Sequence, residues 1–226
     1  MNNTQDFKQS SIRLWQLISP TLPIGAYSYS QGLEYAVERD WVNCEKTANE
    51  WVLGQINHNL SMLDVPVFLR LIEAWRSKQL DKVEHWNEII LALRESAELR
   101  QEDCNLGAAT VKVLTGLDVS MPALENEDLA FVTVFSFACN YWSIDKLEAV
   151  HGLLWSWCEN QVAAAIKLVP LGQTSGQRIM SEAIEVITQS VKKAQQCNDE
   201  EIGLLAPGLA IASALHETQY TRLFRS

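Results

Sequence analysis

Residues 129–141 read LAFVTVFSFACNY, and the conformation of this stretch decides the fold class. It is apolar on nearly every side. Val132, Thr133 and Val134 are β-branched, which favours a strand. A strand needs a partner, however, and no second stretch of the chain carries a strand pattern to pair with it. A buried helix is therefore expected here.

The sequence on either side has helical periodicity. Leu80, Val83, Trp86, Ile90 and Leu93 fall at steps of three and four, the spacing of one helical face. Asp64-Val-Pro66 restarts the chain upstream, because proline is tolerated in a first helical turn, and Val67, Leu71 and Trp75 continue the pattern. Asn43 is expected to cap a helix carrying Trp51, Val52 and Ile56. Over residues 95–114 a dense polar face backs Leu99, Leu106 and Val113. A first helix over residues 7–18 is expected to turn Leu14, Trp15, Leu17 and Ile18 inward. Downstream, residues 144–169 read as one long helix, broken by Pro170 and Gly172. Thr174-Ser-Gly-Gln177 has a capping-box spacing and opens a helix to about residue 194. Pro207-Gly208 starts a last short segment. The expectation is an all-α, single-domain helical bundle of about ten helices over residues 1–226, with short loops and antiparallel neighbours.

One segment does not fit that pattern. Residues 17–34, LISPTLPIGAYSYSQGLE, hold two of the six prolines and two of the ten glycines. Pro20 and Pro23 exclude a helix interior. Ser28 and Gln31 have the spacing of a capping box, which predicts a helix over residues 28–39 with Leu33, Ala36 and Val37 inward. Pro20, Pro23 and Gly25 read as a stiff connector that presents Tyr27, Tyr29 and Glu34 either to a partner or to the protein's own core.

Composition narrows the function classes. The 226 residues are 47% hydrophobic, enough for one sizeable core. Lys and Arg number 18 against 28 Asp and Glu, a net charge of −10. Such a chain is repelled by phosphate backbones, and the densest basic cluster is only Lys192-Lys193, so no nucleic-acid partner is expected. Cys44, Cys104, Cys139, Cys158 and Cys197 are widely spaced and form no CxxC pair, as in reduced cytosolic proteins. The opening MNNTQDFKQSS has no apolar stretch of a secretory signal. The longest apolar run falls short of the roughly 20 residues that span a bilayer. A soluble, cytoplasmic protein without a membrane partner is expected.

No self-sufficient active site stands out. Glu148-Ala-Val-His151 has the Glu-x-x-His spacing of carboxylate-bridged metal helices, but that site needs two such motifs and further glutamates. A helical enzyme or metal carrier using Glu148, His151 and a distant ligand is the alternative reading. Gly172-Gln-Thr-Ser-Gly176-Gln-Arg178 lacks the spacing and the Lys-Ser/Thr of a phosphate loop, and no strand precedes it. Close packing of helices across the glycines is the plainer reading, although Gln173, Gln177 and Arg178 place three long polar groups at one bend. Ser28 and Ser30 are not in a nucleophile elbow. In the final residues, Arg222-Leu-Phe-Arg225 alternates guanidinium and apolar groups. That composition suits docking to a partner, and equally a segment folded back onto its own core.

Three segments together go further. Residues 17–34, residues 168–178 (LVPLGQTSGQR) and residues 216–226 (HETQYTRLFRS) closely resemble, in order and separation, the hallmark segments of the urease accessory protein UreF family. Residues 94–100 (RESAELR) also resemble it. Trp15 stands where the family usually has an aliphatic residue, and residues 122–138 lack its Pro-Val-Ala-Phe-Gly pattern. Ala210 replaces an acidic residue common before the His-Glu pair, so no role is carried over to that position.

The resemblance implies an all-α homodimer without catalytic turnover or a cofactor of its own. It implies a bridge between a UreD/UreH-type scaffold and the GTPase UreG, acting on urease apoprotein, with nickel and GTP brought by the GTPase. It also implies two partner-binding groups. Residues 203–226 would dock on the scaffold and become ordered there, around residues 220–224, with His216, Tyr220, Arg222, Leu223, Phe224 and Arg225 as partner-binding residues. Tyr27, Ser28, Tyr29 and Glu34, with Gln173, Gln177 and Arg178, would face a partner or control the GTPase. Arg178 or Arg222 acting in trans on the nucleotide is a further alternative, and ion pairing within the chain is the structural reading of both arginines.

Overall fold

The segment at 129–141 is helical in the computed structural model, which describes residues 3–203 and 207–226. It forms α7 (Phe131–Tyr141), packed against α4 (Asp64–Arg76) and α6 (Ala97–Gly116). Val134, Phe135, Ala138 and Cys139 are wholly buried. The polar residues that weakened the helical pattern are satisfied inside it. The Thr133 hydroxyl donates to Asn87 Oδ1 at 2.8 Å, and the Ser136 hydroxyl accepts the Trp75 indole N–H at 3.0 Å. No side chain caps α7 locally. Instead the Phe131 N–H donates to Asp103 Oδ1 of α6 at 2.7 Å, and the Ala130 N–H donates to Asn87 Oδ1 at 2.9 Å. Tertiary groups thus supply what a local cap normally supplies.

The other helices are α1 (Asn3–Leu17), α2 (Leu33–Glu38), α3 (Glu45–Gln55), α5 (Leu80–Ala92), α8 (Lys146–Leu168), α9 (Gln173–Gln195) and α10 (Pro207–His216). The described residues contain no strand. One hydrophobic cluster runs through the molecule from Leu14 on α1 to Phe224 near its end. Residues 204–206 of the expected docking segment lie outside the described residues, as do Met1 and Asn2 of the opening stretch.

Several local expectations are corrected. The helix expected from Ser28 begins at Leu33, because Gln31 and Gly32 adopt left-handed φ of 51° and 75°. Ser28 ends a short 3-10 turn, Ala26–Ser28, and caps nothing. Gly32 fits where another residue would not: a Cβ there would lie 3.0 Å from the Ser213 backbone nitrogen of α10. Helix α3 is capped by Cys44 rather than Asn43, with the Thr47 hydroxyl accepting from both backbone N–H groups. Helix α9 starts at Gln173, so Thr174 lies within its first turn and forms no capping box. Trp15 points to solvent, because Leu14 and Leu17 take the core face of α1. On α6, Leu114 is buried and Val113 only half-buried. The close-packing reading of the Gly172–Gly176 bend holds at Gly176, where a Cβ would meet Ile166 Cδ1 of α8 at 2.6 Å.

Candidate functional site

Residues 217–226 leave α10 and run back across α2 and α6. The chain itself provides the reason. Glu34, in the first turn of α2, accepts the backbone N–H of Leu223 at 2.7 Å and of Phe224 at 2.9 Å. The Arg225 N–H donates to the Ser28 carbonyl at 2.9 Å. The Ser30 N–H and hydroxyl both donate to the Ser226 carbonyl oxygen, at 2.9 and 2.6 Å. The Ser226 hydroxyl donates to Glu102 Oε2 at 2.5 Å. Segment 17–34 is thus the seat of the final residues. These bonds satisfy backbone groups that no helix serves.

A second set of bonds anchors the turn after α10. His216 has 0% exposure, with Nδ1 2.6 Å from Glu98 Oε2 and Nε2 3.3 Å from Glu34 Oε2. Arg222 pairs with the other oxygen of Glu98. The Glu217 carboxylate accepts the N–H groups of Ala97 and Glu98 at the start of α6, where the helix dipole favours negative charge. Phe224 is buried, with the Lys167 ammonium 5.7 Å from its ring centre.

Of the sequence-predicted residues, Tyr29, Glu34, His216 and Phe224 therefore face inward. Tyr29 is buried, with its hydroxyl accepting from Asn105 at 3.3 Å. Tyr27, Tyr220, Leu223 and Arg225 are exposed, with Leu223 at 68%. Segment 17–34 and residues 216–226 come together. The third group does not share their hydrogen bonds. Gln173 and Gln177 are exposed on the first turns of α9, and Arg178 grips Glu45 of α3 with two bonds of 2.6 Å. That grip holds the Glu45 carboxyl down at about 2. Arg178 and Arg222 are thus both ion-paired within the chain.

Sequence reasoning missed Ser30, Gln31, Glu98, Glu102 and Trp157. The four-residue spacing of Glu98 and Glu102, which puts both on one face of α6, was the available signal. Gln31 bridges Glu102 and Trp157: its amide donates to Glu102 Oε1 at 2.7 Å, and its carbonyl accepts the Trp157 indole N–H at 2.7 Å. Burial pushes the Glu102 carboxyl up to about 7.

Beneath this network lies a cavity of about 110 Å³, between segment 17–34, α6 and α8. On its wall Arg94 binds Asp64 at 2.7 Å and Asp103 at 2.8 Å. Burial opposes the guanidinium charge, and the two carboxylates more than offset it. Glu95, Asn59 and Gln161 also line the cavity and carry side-chain oxygens without a hydrogen-bond partner. Such acceptors suit water or another donor. The Glu148–His151 pair serves locally: His151 Nδ1 lies 2.6 Å from the Leu147 carbonyl, and Glu148 meets the Ser11 hydroxyl at 3.5 Å. Among the described residues no group of three His, Cys, Asp or Glu side chains could hold a metal ion, and no helix is long and apolar enough to cross a membrane.

Comparison with known proteins gives concordant matches. A family model described as UreF matches residues 42–184. The chain is 48% identical to the urease accessory protein UreF of Alkalilimnicola ehrlichii, over 95% of each chain. It is 42% identical to the protein of that name from Hahella chejuensis, covering 95% of this chain and 97% of the relative. The UreF of Teredinibacter turnerae is 44% identical, covering 95% and 98%.

Proposed function

Because the chain belongs to the urease accessory protein UreF family, we propose that it is a non-catalytic chaperone of urease maturation. It bridges a UreD/UreH-type scaffold and the GTPase UreG, as a cytoplasmic homodimer, so that nickel reaches the urease apoprotein. The GTPase brings the nickel and the GTP. The observation that carries this reading is the seating of residues 217–226 on segment 17–34. It leaves Tyr27, Tyr220, Leu223 and Arg225 outward, and aromatic and arginine side chains dominate interface energetics. In a protein of net charge −10, this place offers two tyrosines, a leucine and an arginine to solvent. The anchoring residues hold the surface in shape, which lowers the ordering cost of binding.

Deleting residues 220–226 tests the reading. The truncated protein loses co-purification with the UreD/UreH-type partner while its far-ultraviolet circular dichroism is unchanged. Retained co-purification would contradict the docking role.

A further inference from the structure

We propose that the cavity beneath the final residues is a binding site for a primary alkylammonium ion, a cationic head group on an apolar stem of about four carbons. The site is a property of this chain alone and does not depend on the partner assignment above.

Charge selects the sign of the occupant. Asp64, Glu95, Glu102, Asp103 and Glu159 line the cavity with one cation among them, Arg94. Arg94 is committed to Asp64 and Asp103, and Glu102 to Gln31 and the Ser226 hydroxyl. Both oxygens of Glu95 are buried and accept no hydrogen bond. Burial raises that carboxyl, and a cation seated beside it would favour its charged form.

Hydrogen bonding selects the head group. Asn59 is 4% exposed and Gln161 2%, and Asn59 Oδ1 and Gln161 Oε1 also lack a partner. The unpartnered side-chain atoms lining the cavity are thus all oxygens that accept. They come from three places in the chain: Glu95 from the turn between α5 and α6, Gln161 from α8, and Asn59 from the π turn Ile56–Leu60. Such turns are rare and are found frequently at functional sites. An ammonium group brings three donors and no acceptor, which matches acceptors supplied from three sides.

The walls select the stem. Leu22, Ile24, Leu99, Leu106 and Leu153 line the cavity and suit methylene groups rather than the hydration shell of a metal ion. Among the described residues no group of three His, Cys, Asp or Glu side chains could hold a metal. A cavity of about 150 Å³ takes benzene, so a volume of about 110 Å³ takes about five non-hydrogen atoms. Pro20 and Tyr27 line the cavity and are exposed, so it opens to solvent beside them.

A nuclear magnetic resonance titration of the full chain with n-butylammonium chloride at neutral pH tests the site. The expected result is saturable binding of one ion per chain, with shifts at the side-chain amides of Asn59 and Gln161. Two probes of the same size separate the features, since 1-butanol lacks the charge and tetramethylammonium lacks the donors. Each is expected to bind about tenfold more weakly or worse, as loss of a charge-assisted hydrogen bond implies. Gln161→Leu is expected to weaken n-butylammonium by about tenfold; if that variant does not fold, the three probes on the parent chain decide. Shifts that never saturate would overturn the proposal. So would equal affinity for either control probe, or zinc chloride moving the same two amides and excluding n-butylammonium. The same chemistry ends a lysine side chain, and N-acetyl-lysine methylamide distinguishes the two sources. Binding at least as tight as n-butylammonium assigns the site to a lysine of a partner protein, and weaker binding assigns it to a free amine.

Discussion

At Arg94 the chain buries a guanidinium between Asp64 and Asp103, carried by α4 and α6. Replacing it with methionine leaves two buried carboxylates facing each other. Loss of one partner of such a cluster costs about 3–5 kcal/mol, so Arg94→Met is expected to lower the urea-denaturation free energy by that amount. Glu102 gives a prediction with a definite sign. Its carboxyl rises from 4.5 to about 7 in the fold, with burial as the cause. A raised folded value means the contribution is whole below pH 4.5 and is lost as the pH climbs through 7. The difference is on the order of 3 kcal/mol. Urea denaturation of Glu102→Gln against the parent protein, at pH 4.5 and pH 8, reads it: the parent loses stability over that interval relative to the variant. Neither feature was legible in the sequence. Arg94 and Glu102 look like ordinary helix-surface charges until the fold places segment 17–34 and the final residues over them.

The helices themselves were largely legible. Leu80, Val83, Trp86 and Ile90 lie on one face of α5, and Pro66 sits in the first turn of α4. Helix α7 followed by elimination, because no strand pattern existed to pair with it. Helix starts were less legible, since they rest on tertiary donors and acceptors or on left-handed residues. Ser28 had the cap spacing, yet the left-handed turn at Gln31 and Gly32 moves the start of α2 to Leu33. The start of α7 depends on Asn87 of α5, which also donates to the Asp128 carbonyl at 2.8 Å. Asn87→Ala removes the acceptor for the Ala130 N–H and the Thr133 hydroxyl, both buried. Each orphaned group costs about 1–3 kcal/mol. Thermal unfolding of Asn87→Ala is expected to show a loss of about 2–6 kcal/mol, whereas an exposed position such as Gln177→Ala stays within about 0.5 kcal/mol.

Across the whole molecule, the candidate site unites two segments far apart in the sequence, residues 17–34 and 216–226. Residues 17–34 were recognisable as exceptional from their prolines and glycines, and residues 216–226 from their alternating arginines and apolar groups. Their union was not legible, because it is made by Glu34 receiving two amides far along the sequence, and a glutamate in a first helical turn carries no mark of that duty. Burial of Tyr29, Glu34, His216 and Phe224 divides the site into anchors and an outer face. Variants of the two classes should therefore differ. Glu34→Ala releases the final residues and raises trypsin cleavage at Arg222 by about tenfold or more, since 1.4 kcal/mol of lost bonding is a factor of ten. Leu223→Ala leaves cleavage unchanged and weakens partner binding alone. The central claim is that this chain bridges two other proteins. A pull-down of UreG by an immobilised UreD/UreH-type protein, with and without this chain, measures it directly. UreG is expected to be retained only when the chain is present; equal retention in its absence, or none in its presence, would contradict the bridging role.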